Sequence, residues 1–538
     1  MQIVKDLKQQ LLSQQTVRNW LHELGIRPMS HSTLLWFRED PTCHTRVTMR
    51  NYFSLNYGIP NPEYTFALHD SDGTRLVSWV HTARPDETIV VDSAVVCRKF
   101  SLGHRFEGTL IAEVQNRRLD PPRFLRANVD YYNEAGMITT VHDQGRLART
   151  PRRDAQSLVY VRHDSEFETG IVLQNWYRFR RSPREYFAEA EIELLNSAGA
   201  KRTAAAPRIP GCASRYVSLA ELFPDAIDFL GGRVGGLRIR SNIAMGRSIP
   251  VVRSRTTGFS AVSHTVGDHD PQVYQRDVVK AATPDDRWAP VWCSFVAETD
   301  DVRTEYSIFN NWVPVATYNV DLRISDAAGV LRAKLPGALQ LKPDETKVLR
   351  MREVLRSAGV NLPFHGTVEA RLVAVDNQEV MPGPGMLQMN TVWTSGGALT
   401  QSNNQSLGHL NTTFTDAHYL SPRRTKMFGR VISNQDHDTM LSLMNPSSDE
   451  LYDRASKTEV TVNDASGTRK QSVSLTIPPH GSVWVSLDEL FPNLSDFLSE
   501  SHGVSSILVI DPTVKLTGYL GVRHRATGAT GIDHLFGG

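Results

Sequence analysis

The feature that most constrains this chain is that it contains itself twice. Val217–Leu230 (VSLAELFPDAIDFL) and Val485–Leu498 (VSLDELFPNLSDFL) lie 268 positions apart and share ten of fourteen residues. Thr257-Gly258 pairs with Thr527-Gly528, and His264 with His534, at an offset of 270. A near-constant offset over a long stretch indicates homologous domains, and internal repeats of this kind dictate architecture before any local signal does. A second pair interleaves with the first. PDET at Pro85–Thr88 returns at Pro343–Thr346, and Phe106–Thr109 returns as Phe364–Thr367, both 258 positions on. The order is A, B, A′, B′, a duplicated two-domain unit.

Within each unit the runs TFALHD, AEIELLN, NVDLRIS and TEVTVND alternate apolar and polar residues, the period of half-buried strands. Turns with Gly73, Gly199, Gly329 and Gly467 follow, where glycine supplies the positive φ of a hairpin. An apolar strand ending in Asn56, Asn175, Asn310 or Asn445 opens each unit, and Asn closes turns through its own side chain. No βαβ rhythm is present, so the expected fold is all-β: four tandem antiparallel sandwiches. In size and strand count the units look like immunoglobulin-type or fibronectin-type modules, a likeness of architecture that carries no function. The expected boundaries are 30–142 (A), 157–264 (B), 290–403 (A′) and 425–534 (B′), with turn-rich linkers at 143–156, 265–289 and 404–424. Residues 1–29 read as a helical lead-in. Ser218 and Ser486, each with Glu three positions on, predict short capped helical turns that bridge the sheets.

A formal net charge of +1 gives no global pull toward nucleic acid or acidic membranes, and no apolar run approaches the roughly 18 residues of a span. The N-terminus lacks an h-region and a cleavage site, which favours a cytoplasmic chain. Cys43, Cys97, Cys212 and Cys293 are scattered without a CxxC, so buried, reduced thiols are expected rather than a zinc cluster or disulfides. GxSxG, P-loop and dinucleotide motifs are absent.

Two groups of residues stand out as site candidates. Units A, B and B′ end in EAGMITTVH, TTGFSAVSH and ATGATGIDH, placing His142, His264 and His534 six residues after the turn glycine; A′ ends in SGGALTQSN, with Asn403 at that place. The expected role is local: each imidazole bonds backbone at a domain exit. The sharper alternative is an inter-domain ligand or metal site, which requires the four domains to close on one another. Unit B also carries a basic-aromatic stretch, with Trp176, Tyr177, Arg178, Arg180 and Arg181, in a loop that A is expected to lack. Its expected role is a protein-contact or solvated loop, since no RNA- or DNA-binding motif accompanies it.

The function expected from these features is a non-enzymatic structural or binding protein that engages a protein partner or itself through repeated surfaces. The alternatives are a metalloprotein or enzyme using the repeat-equivalent histidines, and a carbohydrate-binding array with Trp36, Trp79, Trp176, Trp288, Trp312 and Trp393 as platforms. No cofactor is expected other than the metal of the first alternative.

Overall fold

The computed structural model describes residues 30–53, 59, 61–115, 125–142, 154–175, 187–243, 245–258, 260–267, 291–310, 317–375, 388–396, 398–403, 405–406, 424–447 and 450–537. The lead-in 1–29, Asn56, Trp176, Tyr177, Arg178, Arg180, Arg181, Trp288 and Trp312 lie outside them. The fold is all-β, with 56% of the described residues in strands and 9% in helices. Among the described residues no helix is long and apolar enough to cross a membrane.

The strands form four groups with one topology. In the second group, Lys201–Ala205, Ala190–Leu195, Gly235–Ser241, Asp154–Val161 and Val266–Gly267 make one antiparallel sheet in that order. Ser214–Ser218, Phe167–Gln174, Ile249–Ser254 and Ser260–Val262 make the other. Side chains from both, including Ile171, Leu173, Ile192 and Ile239, fill the core between them. The third and fourth groups repeat this five-plus-four arrangement. In the first, Ser30–Asp40 and Cys43–Arg50 join the two sheets through the pairs Glu39–His44 and Asp40–Cys43.

Residues expected in linkers extend the sheets instead. Asp154–Gln156 begins a strand, while Val266–Gly267 and Gln405–Ser406 fold back onto the first strand of their own group, as Phe536–Gly537, past the expected end of B′, also does. The Ser218 and Ser486 hydroxyls accept from Ala220 N and Asp488 N at 3.2 Å, capping helices Leu219–Leu222 and Leu487–Leu490. Leu219, Phe223, Leu487 and Phe491 plug the cores beneath. Sequence patterning gave no helix in the first and third groups, yet Ser93–Phe100 and Met351–Ser357 stand at the equivalent place.

The repeated asparagine of the first group is Asn51, not Asn56. Asn175, Asn310 and Asn445 each donate their backbone N–H to a turn carbonyl (Ala213, Glu345, Gly481) and accept one from the N–H of Cys212, Asp344 or His480. Their amides donate to Ile209, Leu341 and Ile477. Asn51 does the same, with its N–H on Glu87 O at 2.8 Å and its amide on Arg84 O at 2.7 Å. With Asn51 as reference, the distance to the hairpin glycine is 22 residues in the first group against 24 in the second. The expected extra loop in the second group therefore shrinks to two residues.

The donors Cys212, Asp344 and His480, and Asp86 in the turn facing Asn51, share a left-handed backbone, φ 58–62°. These four turns are docking points. A Cβ on Gly73 would meet Gly211 O at 2.0 Å, and one on Gly199 would touch Asp344 at 3.4 Å. One on Gly329 would meet Pro479 O at 2.0 Å, and one on Gly467 would meet Pro85 O at 2.5 Å. The hairpin of each group thus packs on the turn of the next, and the fourth packs on the first. Thr88 N donates to Ala465 O (2.9 Å) where the fourth group meets the first, as Ser482 N does to Ala327 O (3.1 Å) where the third meets the fourth. A head-to-tail contact that returns to its start closes a ring.

Candidate functional site

Ring closure brings the last strand of every group to the centre. Val262 N donates to Thr139 Oγ1 at 3.2 Å, linking Ser260–Val262 to Ile138–His142. Thr400 Oγ1 exchanges bonds with the Ile532 backbone (3.0 and 3.3 Å), linking Ala398–Asn403 to Thr530–His534. Gly531 lets the last of these strands press on the first, since a Cβ there would meet Ile138 O at 2.2 Å.

His142, His264 and His534, from three groups, converge there, with one ring nitrogen of each within 4.8 Å of the others. The imidazole centroids of His142 lie 4.3 Å from His264 and 4.0 Å from His534. His142 and His264 are buried, whereas His534 is half-buried. Asn403 ends its strand in register with Asn390. His264 Nδ1 donates to Thr265 O (2.9 Å) and His534 Nδ1 to Leu535 O (3.2 Å). The two carbonyls are placed identically, because Thr265 N and Leu535 N donate to Ser248 O and Gly518 O, each at 2.8 Å. Gln156 Oε1 further pins Thr265 through its hydroxyl at 2.6 Å.

His142 is held differently. Its Nδ1 donates to Asp533 Oδ2 at 2.9 Å, and the other carboxylate oxygen accepts from Ser402 Oγ (3.0 Å) and His534 N (2.8 Å). Asp533 was visible in the B′ exit sequence only as a neighbour of His534. Nothing local signalled that it would reach a histidine 391 residues away.

Carbonyl and carboxylate oxygens can only accept, so in all three rings Nδ1 is the donor and Nε2 is the atom turned toward the other imidazoles. His142 Nε2 and His264 Nε2 face each other at 2.9 Å. Burial, then the neighbouring His534, Arg247 and Arg126, hold His142 well below the usual imidazole range. Burial, then His142 and Arg247, do the same to His264, partly offset by the Thr265 carbonyl and Asp533. Imidazoles with fixed Nδ1–H donors and convergent Nε2 atoms have the donor character of a transition-metal site.

Elsewhere, Cys43, Cys97, Cys212 and Cys293 are buried and not joined in disulfides. Burial pushes Cys43 up to about 12 and Cys97 to about 11, which makes them poor nucleophiles. Trp36 is buried against Tyr131 and against Tyr216 of the second group, and Trp393 is buried against Tyr519 of the fourth. Trp79 packs between Phe66 and Phe100. None of these three offers a flat open platform for a sugar. A cleft of about 690 Å³ between the second and third groups is lined by Tyr160, Arg162, Glu305, Lys347 and Arg350 among others.

No protein-family model matches this chain, and no curated protein matches it.

Proposed function

We propose that the chain is a non-enzymatic scaffold of the cytoplasm. Four immunoglobulin-type sandwiches, A, B, A′ and B′, close head to tail and turn repeated outer faces toward a protein partner. The observation that carries this reading is the cyclic contact in which each hairpin glycine seats on the next turn and Gly467 seats on Pro85. Four modules fused in this way behave as a prefolded tetramer. Their relative orientation is fixed without a concentration-dependent assembly step. The outermost strands of the first and third groups leave Leu76, Val80 and Leu331 exposed, apolar positions suited to contact.

Small-angle scattering of the full chain tests the closed arrangement. A compact chain of this length has a radius of gyration of about 24 Å, whereas four modules in a row give about 40 Å. A value near the second ends the reading. The multivalent part requires that A and A′, or B and B′, bind alike, so sedimentation of a saturated complex should show two partner copies per chain. One copy ends that part alone.

A further inference from the structure

The geometry points to a divalent transition-metal site at the ring centre, formed by the Nε2 atoms of His142, His264 and His534, with Asp533 as a positioning residue on His142. His142 Nε2 and His264 Nε2 stand 2.9 Å apart, and one ring nitrogen of His534 completes a three-imidazole cluster within 4.8 Å. The first two rings are buried.

The supporting shell is that of a ligand set. Every ligand histidine donates Nδ1–H to an oxygen that is itself held, twice by backbone and once by a carboxylate fixed from two sides. Such partners set the tautomer and raise the basicity of the metal-facing nitrogen. The distances need little adjustment. Tetrahedral zinc holds nitrogens at about 2.0–2.1 Å, so ligand nitrogens sit about 3.3 Å from one another. The His142–His264 pair must open by about 0.4 Å, and the third nitrogen, within 4.8 Å, must close. Three imidazoles select zinc, copper, nickel or cobalt over calcium and magnesium, which take oxygen. Half-buried His534 supplies the entry side.

Two cations bear on the site. Arg247 Nη1 lies 3.4 Å from His264 Nε2, and Arg126 acts at longer range. Arg247 occupies the direction from which a metal binds His264 and must swing away on loading, while the Asp533 carboxylate offsets the added charge.

The test uses tag-free full-length protein, stripped with chelator and reloaded with zinc or with cobalt as a spectroscopic probe. The expected result is one equivalent of zinc retained through dialysis and a tetrahedral cobalt spectrum, with no response to magnesium or calcium. His264→Gln and His142→Gln should each abolish retention. Asp533→Asn should weaken it about 10–100-fold. Arg247→Gln should tighten it, an outcome that a purely structural role for the cluster would not produce. Scattering and circular dichroism confirm that the variants keep the fold. Should a histidine variant not fold, Asp533→Asn and Arg247→Gln still decide the matter in opposite directions. Absence of retained metal in the wild type, or retention unchanged by all four substitutions, overturns the proposal while leaving the scaffold reading intact.

Discussion

The junction that closes the ring contains a fully buried ion pair, and its removal gives the most quantitative check on the architecture. Arg430, on Thr425–Ile432 of the fourth group, places Nε 2.7 Å from Asp130 Oδ1 of the first, and both side chains are 0% exposed. The Thr140 hydroxyl donates to the same carboxylate oxygen and accepts from Arg430 Nη2. Arg430→Met removes the ion-pair partner of a fully buried carboxylate, which costs about 3–5 kcal/mol. At a urea slope of about 3 kcal/mol/M, the transition of this junction should fall by roughly 1–1.7 M. The intact pair is not perfectly satisfied, because Asp130 Oδ2 and Arg430 Nη1 have no hydrogen-bond partner. Asp130→Leu combined with Arg430→Met should therefore recover most of the loss, to within about 2 kcal/mol of wild type, the residue being the stranded Thr140 hydroxyl. The assay is a double-mutant cycle read by urea unfolding. Hydrogen exchange at Asn128–Tyr132 and Thr425–Ile432 would assign the transition to this junction. A single-variant shift under about 0.3 M, or a double variant as poor as the sum of the singles, would refute the buried contact.

Three further outcomes follow from other parts of the ring. Gly329→Ala forces a side chain into positive φ and into Pro479 O, so it should lose more than about 1 kcal/mol by thermal or urea unfolding; Gly337→Ala, also at positive φ but facing open space, should lose less. Asn445→Ala strips the fully buried amide that serves Arg454 O and Ile477 O, and a loss of about 1–3 kcal/mol is expected in the same assay. His163, His365 and His437 are held below 6.5 chiefly by burial; around His437 stand the Gly136 carbonyl, His524, Asp436 and Arg46. Since the unfolded chain takes up protons at that value before the folded one does, stability is full above about pH 6.5 and declines below it, by up to about 1.4 kcal/mol per pH unit per group. His437→Gln should reduce the difference in unfolding midpoint between pH 8 and pH 5, and an unchanged difference would remove His437 from the account.

The periodic features of the fold were legible because they repeat. Alternating strands, hairpin glycines and the Ser218 and Ser486 caps all have local signatures, and each fell where its pattern put it. The misplaced asparagine has a physical reason. MRNYFSLN offers two candidates, and the apolar run before Asn56 reads as a strand end as readily as the one before Asn51. The helix Ser93–Phe100 was missed because Val95, Val96 and Cys97 form a β-like triplet. What starts the helix is Asp92, whose carboxylate accepts from Ala94 N at 3.2 Å. Ring closure left no local trace at all: Thr88 N meets Ala465 O only because four rigid junctions add up to a full turn. The same holds for the Asp533–His142 contact, which depends on domain placement and on no motif.

That placement explains why the histidines matter as a set. In a row of modules, equivalent positions stay one module apart, and a residue repeated in each remains four separate residues. In a closed ring, equivalent positions near the axis are brought together by the closure itself, so a residue written once in the ancestral repeat becomes a cluster. The exit strand is such a position, because its neighbours on both sides are other exit strands. Three copies carry His and one carries Asn403, and Ser402 beside it donates to Asp533, the carboxylate that orients His142. The fourth quadrant therefore contributes to the support of the site through Ser402. Asn403→His tests this division: if the departure from symmetry serves a three-nitrogen site with an open position, a fourth imidazole should fill that position and displace the bound solvent or anion expected there in cobalt spectra. An unchanged cobalt spectrum would mean that the third group's exit strand faces away from the metal.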